Sequence, residues 1–175
     1  ENGLNLIKKI EQDLISKKDF KDLAVLYLNV ASIYYDNKDM SQTRFYLGKG
    51  MEILKKYPNN ELLGFYYETY YASYSSIGKF KIADEFLLKS KYYLEKYTDV
   101  EKRADLYYNL CFYSDRNEKW SDLILYANKH DSICKNIFNV NSAPNLYLMK
   151  ANALLNLNKL QEAKKTVLFV ENLER

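Results

Sequence analysis

The stretch IGKFKIADEFLLKS, Ile77–Ser90, places small residues at Gly78, Ala83 and Ser90 and large apolar ones at Phe80 and Leu87 between them. Small and apolar positions recur at intervals of three and four, which predicts a helix entered through a glycine turn. Shifted by 40 residues in either direction, the pattern returns. Thr43, Leu47, Gly50 and Leu54 stand where Ala83, Leu87, Ser90 and Leu94 stand, and Leu123 with Ala127, then Ala163 with Val167, continue the series. Tyr27, Tyr67, Tyr107 and Tyr147 share the interval, as do the bulky apolar Met40, Phe80, Trp120 and Leu160. Ala31, Cys111 and Ala151 share another phase, which Tyr71 breaks. One interval kept by several independent columns marks an internal repeat.

Each unit reads as two helices joined by a short polar turn. In the first, Tyr27, Val30, Ala31 and Tyr34 fall at i, i+3, i+4 and i+7 on one helical face,. The turn DNKD (Asp36–Asp39) follows, and then a second helix marked by Met40, Thr43, Leu47, Gly50 and Leu54. Antiparallel helices that cross closely need a small side chain at the crossing. Ala83 and Ser90 are therefore expected at crossings, Phe80 and Leu87 as fillers, and Gly78 in a turn with positive φ. Trp120, in the column of Met40, Phe80 and Leu160, is expected in the core. Gly3, Ile7, Ile10 and Leu14 lie 40 residues before Thr43, Leu47, Gly50 and Leu54. The expected organisation is one array: 1–19 as the second helix of a truncated preceding unit, then repeats at 24–57, 64–97, 104–137 and 144–175. Neither end carries a polar capping helix, so a segment of a longer array is expected.

Composition agrees with an all-α protein. The 175 residues are 47% hydrophobic, with only 5 glycines and 2 prolines, too few for a protein of many tight β-turns. No apolar run approaches the roughly 18 residues of a membrane span. The chain starts at Glu1 without a cationic, apolar leader,, which leaves the compartment open between cytoplasmic and extracytoplasmic. Its 26 basic residues, only four of them arginine, are interleaved with 23 acids for a formal charge of +3. That is a solvated surface rather than a nucleic-acid groove, and no direct nucleic-acid binding is expected. Cys111 and Cys134 read as buried free thiols; a disulfide stays open for an exported chain. P-loop, GxGxxG, GxSxG and HExxH motifs are all missing,. Neither catalysis, a cofactor nor a metal site is expected. The lone His130, at a helix-crossing position, reads as a half-buried packing residue.

The pattern resembles the tetratricopeptide repeat (TPR). Tyr67, Tyr70, Tyr74, Gly78, Ala83, Leu87 and Ser90 carry the resemblance in the second unit, and Tyr27, Val30, Ala31, Tyr34, Leu47, Gly50 and Pro58 in the first. Tyr71, Lys150, Ser114 and His130 depart from it, and the unit is longer than the usual 34 or so residues. The resemblance implies a right-handed α-solenoid of antiparallel helix pairs whose first helices line a concave groove for a peptide. By position that groove would hold Asn29, Ser32, Tyr35, Glu68, Asp105, Tyr108, Asn109, Phe112, Arg116 and Asn152. Asparagines there suit both N–H and C=O of a peptide backbone, and Tyr108 with Phe112, four apart, suits an apolar anchor beside Arg116. Leu28 and Ser32 replace the Lys and Asn with which one TPR subset clamps chaperone tails, so that ligand is not expected. Asp36, Glu68, Asp105 and Asp115 against Arg116 favour a neutral or basic segment. Richness in Lys, Asn, Tyr and Ile, and the helix ending HDSICKN, resemble the sensor parts of bacterial transcriptional regulators and signalling proteins. The expected function is a non-catalytic protein- or peptide-binding module of such a regulator. The alternative is a scaffold that self-associates through its convex face or its ends.

Overall fold

The computed structural model describes residues 3–173. Among these residues there are nine α-helices and no strand. The helices are α1 (Gly3–Lys17), α2 (Phe20–Asp36), α3 (Met40–Lys56), α4 (Asn60–Ser75), α5 (Phe80–Tyr97), α6 (Ala104–Arg116), α7 (Trp120–Asn136), α8 (Pro144–Asn156) and α9 (Leu160–Leu173). A 3-10 turn, Glu101–Arg103, leads into α6. The helices pair in sequence, α2 with α3, α4 with α5, α6 with α7 and α8 with α9. Two compact units result, one ending at Tyr97 and the other beginning at Thr98.

Local chemistry explains the tight turns. Lys38, Gly78, Glu118 and Asn158 all have positive φ, between 53° and 73°. In each case the next residue's N–H reaches back to a carbonyl of the helix just ended: Asp39 to Tyr34 (2.9 Å), Lys79 to Tyr74 (3.0 Å), Lys119 to Ser114 (2.8 Å) and Lys159 to Leu154 (2.8 Å). The turn thus satisfies a carbonyl that the helix end leaves orphaned. Only Gly78 takes this backbone without steric penalty. Lys18 closes α1 with the same device, at φ 57°. Asp19 and Asp39 then cap the following helices, their carboxylates accepting from the N–H of Asp22 (3.1 Å) and Gln42 (3.0 Å),.

In the first unit Ala24 and Ala31 of α2, Leu47 and Leu54 of α3, and Leu62 and Tyr66 of α4 form one core. α2 therefore lies on α3 and α4 together. Gly50 has a specific reason: a Cβ there would stand 1.6 Å from the Tyr66 hydroxyl oxygen. Tyr66 is fully buried and donates to the Ala24 carbonyl at 2.6 Å. Gly64, which the periodicity does not mark, lets α4 approach Leu94 of α5, whose Cδ2 would lie 2.5 Å from an added Cβ. In the second unit Cys111 of α6, Leu123 and Ala127 of α7, and Leu146 and Ala153 of α8 form the corresponding core. Ala83, Leu87 and Ser90 are fully buried, as expected of the opening stretch.

The bulky column behaves differently from the expectation. Phe80 is 44% and Leu160 63% exposed, while Met40 and Trp120 are half-buried. Met40, Phe80, Trp120 and Leu160 are the first residues of α3, α5, α7 and α9. They mark where the turn hands over to the helix, at the end of a pair, and the ring of Trp120 rests on the edge of the second core. Cys111 and Cys134 are free, buried thiols.

Candidate interaction surface on the first helices

The repeated tyrosines come first, because they define which face of a pair is already used. Tyr27 of α2 lies 6.2 Å from the ring of Tyr46 on α3, with the Lys49 ammonium 4.5 Å from its centroid. Tyr67 meets Phe86 (6.1 Å) and Lys89 (5.6 Å), and Tyr107 meets Tyr126 (6.1 Å) and Lys129 (4.8 Å). Lys49, Lys89 and Lys129 thus form a column of their own at the 40-residue interval, a cation over each tyrosine face. The Tyr27 hydroxyl also donates to Glu11 of α1 (2.5 Å), whose carboxylate accepts from Lys49 (2.7 Å). Burial pushes the Glu11 carboxyl up, but the bonds from Lys49 and Tyr27 outweigh it and hold it below the usual carboxylate range,. Tyr147 donates in the same way to Asp131 of the preceding helix α7. These tyrosines are structural ties between successive helices.

On α2 the residues expected at a binding face behave unequally. Asn29 is exposed. Ser32 is half-buried and its hydroxyl donates to the Leu28 carbonyl at 3.1 Å, so it serves its own helix. Tyr35 is half-buried, with the Lys38 ammonium 5.8 Å from its ring. Glu68 is half-buried on α4, which packs against α2 within the same unit.

The second unit brings its residues closer together. Tyr108 and Phe112 of α6 sit ring to ring at 5.0 Å, both half-buried against the core beside Met149 of α8. Asn145 at the start of α8 donates its Nδ2 to the Tyr108 hydroxyl at 3.2 Å. That partner was invisible to the periodicity, since it sits just inside an N-terminus with no apolar spacing. Tyr108 is therefore a held ring, packed also against His130 at 5.7 Å. Asp105 and Arg116 are exposed on the same helix, Asn109 is half-buried, and Asn152 is exposed on α8. The Asn152 carbonyl and Oδ1 accept from the side chain of Asn156 at 3.0 and 3.4 Å.

His130 is buried at the crossing of α7. Its Nδ1 lies 2.8 Å from the Ser142 hydroxyl and 3.6 Å from the Cys134 sulfur. Burial pushes the imidazole below its ordinary value, against the opposing pull of Asp105 and Asp131. The cluster fastens the connection before α8 onto α7. Burial also pushes the Cys111 thiol up to about 12, which keeps it protonated and a poor nucleophile,. Among the described residues no group of three metal-ligating side chains is assembled, and no helix is long and apolar enough to cross a membrane.

No protein-family model matches the chain, and no curated protein matches it. Solved structures do. The crystal structure of nearly identical TPR-like repeats, from a protein of Podosopora anserina assigned as a kinesin light chain, is similar at a TM-score of 0.57 and 14% identity. That likeness covers 98% of this chain and 94% of that one. A single-substitution variant of the same protein gives 0.58 and 15%, over 97% and 93%. At such identities the likeness speaks for architecture alone: the fold is of the TPR type, built from antiparallel helix pairs.

Proposed function

We propose that the chain is a protein- or peptide-binding repeat module that works through the first helices of its pairs, as the partner-sensing part of a larger bacterial regulator. Folds of this type generally serve as non-catalytic interaction scaffolds. The observation that carries the reading is the Tyr108–Phe112 pair, clamped by Asn145 and bordered by exposed Asp105, Arg116 and Asn152. A preorganised aromatic anchor inside a polar rim is the usual anatomy of a binding hot spot. The regulator context rests on composition and on the resemblance of the α7 sequence.

A displayed peptide library selected on the intact chain tests this. Phe112→Ala and Arg116→Glu are expected to weaken the selected peptides by tenfold or more, with the helical circular dichroism retained. Unchanged affinity in both variants sinks the assignment. The scaffold reading is favoured by exposed Leu148, Leu155 and Leu168 on α8 and α9. It predicts concentration-dependent sedimentation that these leucines, changed to Ser, disperse.

A further inference from the structure

The fourth repeat departs from the other three at several positions that meet in space. In the phase of Tyr46, Phe86 and Tyr126, whose rings stand 6.1 to 6.2 Å from the repeated tyrosines, it carries Thr166. In the phase of the buried Val30 and Leu110 it carries Lys150, and in that of Phe45, Glu85 and Leu125 it carries Lys165. In the phase of Lys49, Lys89 and Lys129 stands Phe169, whose ring meets Tyr147 edge-on at 5.0 Å. The cation over Tyr147 comes instead from α7: the Lys135 ammonium lies 5.8 Å from that ring and 5.3 Å from the ring of Phe169. Together these residues line an open cavity of about 220 Å³ between α7, α8 and α9. Thr166, its hydroxyl donating to the Glu162 carbonyl at 2.9 Å, is too short to fill the space that a ring takes in the other repeats,. The recess faces back toward α7, because Lys150 donates to Asn128 at 2.6 Å and Tyr147 to Asp131. Its walls therefore come from two helix pairs that are both described.

We propose that this recess binds a phosphate group, free or carried by a small molecule. Three ammonium groups, on Lys135, Lys150 and Lys165, stand at it against one carboxylate, and that carboxylate is already engaged. Asp131 accepts from the Tyr147 hydroxyl and, at 2.7 Å, from Lys135. Burial pushes the Asp131 carboxyl up, but these two bonds outweigh it and hold it below the usual carboxylate range,. Lys150 and Lys165 make no ion pair among the described residues. Two positive charges are thus left for a ligand, the complement of a phosphate dianion. Lysine suits that group, because its rotatable ammonium binds phosphate as a point charge. The size agrees as well: the space of a missing aromatic side chain holds a phosphate with a small organic body against the Tyr147 and Phe169 rings. The recess shares no residue with the Tyr108–Phe112 surface, so the two readings stand or fall separately.

The test is calorimetric titration of the intact chain with phenyl phosphate, with inorganic phosphate and benzoate as further arms. Saturable binding of phenyl phosphate is expected, with benzoate several-fold weaker. Inorganic phosphate binding as tightly as phenyl phosphate assigns the site to the free ion, and weaker binding assigns it to a carried phosphate. Lys150→Gln and Lys165→Gln are each expected to weaken binding roughly five-fold. Lys164→Gln, a neighbour outside the recess, is expected to leave it unchanged. Thr166→Tyr, which restores the ring of the other repeats, is expected to abolish binding without lowering the melting temperature. Should it unfold the chain, the lysine variants decide alone. No saturable binding of either phosphate overturns the proposal. So does an equal loss in Lys164→Gln, the mark of diffuse surface charge, or affinity that survives Thr166→Tyr in a folded chain. Benzoate bound as tightly as phenyl phosphate overturns the assignment to phosphate.

Discussion

At the scale of single residues, two positions are decided by what stands opposite them. Gly50 faces the Tyr66 hydroxyl and Gly48, two residues away, faces open space. Gly50→Ala must displace a buried ring and its bond to the Ala24 carbonyl, for a loss of about 3 kcal/mol or more in urea unfolding. Gly48→Ala, in the same helix, is expected to be neutral or to stabilise by up to about 1 kcal/mol. His130 decides a pH response. Its folded imidazole titrates below its ordinary value because it is buried. The unfolded chain therefore takes up the proton first as pH falls through the ordinary histidine value of about 6.5. Full stability is present above that pH and is lost between it and the lower folded value. His130→Asn should flatten this part of the profile when the unfolding midpoint is followed from pH 7.5 to 5.

Helices and turns carry the second level. Five turns, at Lys18, Lys38, Gly78, Glu118 and Asn158, share one backbone solution, yet only one of them uses glycine. Gly78→Ala is expected to destabilise by about 1 kcal/mol, because alanine resists φ of 73°,. Glu118→Gly, at φ 53°, is expected to gain up to about 1 kcal/mol, less the extra freedom glycine has in the unfolded chain. Thermal melts of the two variants read both signs. Opposite shifts are the expectation; equal shifts would mean that the turn is not under backbone strain. Two helix-to-helix ties share one form, with Tyr27 on Glu11 joining α2 to α1 and Tyr147 on Asp131 joining α8 to α7.

Within each of the two units, the helices gain their stability from the helices packed beside them,. α1 fully buries nothing and α9 only Ala163 and Val170, whereas α2 and α6 each bury five residues. Hydrogen exchange should therefore run fastest in α1 and α9 and slowest in α2, α4, α6, α7 and α8, which each bury five residues, in an order set by burial rather than by helix length. Uniform protection across all nine helices would contradict this.

The 40-residue interval carries the all-helical fold, the pairing of helices and the buried positions Ala83, Leu87 and Ser90, because burial on one helical face imposes a period that residue types record directly,. Polar bonds leave no such trace. The grip of Asn145 on Tyr108, the fit of Tyr66 against Gly50 and the seat of Ser142 on His130 join residues whose spacing has no period. Exposure is likewise a property of neighbours: Phe80 and Leu160 look like core in one dimension and lie at the ends of their pairs in three. Likewise, a lysine column recurs in the sequence, but only packing places Lys49, Lys89 and Lys129 over tyrosine rings.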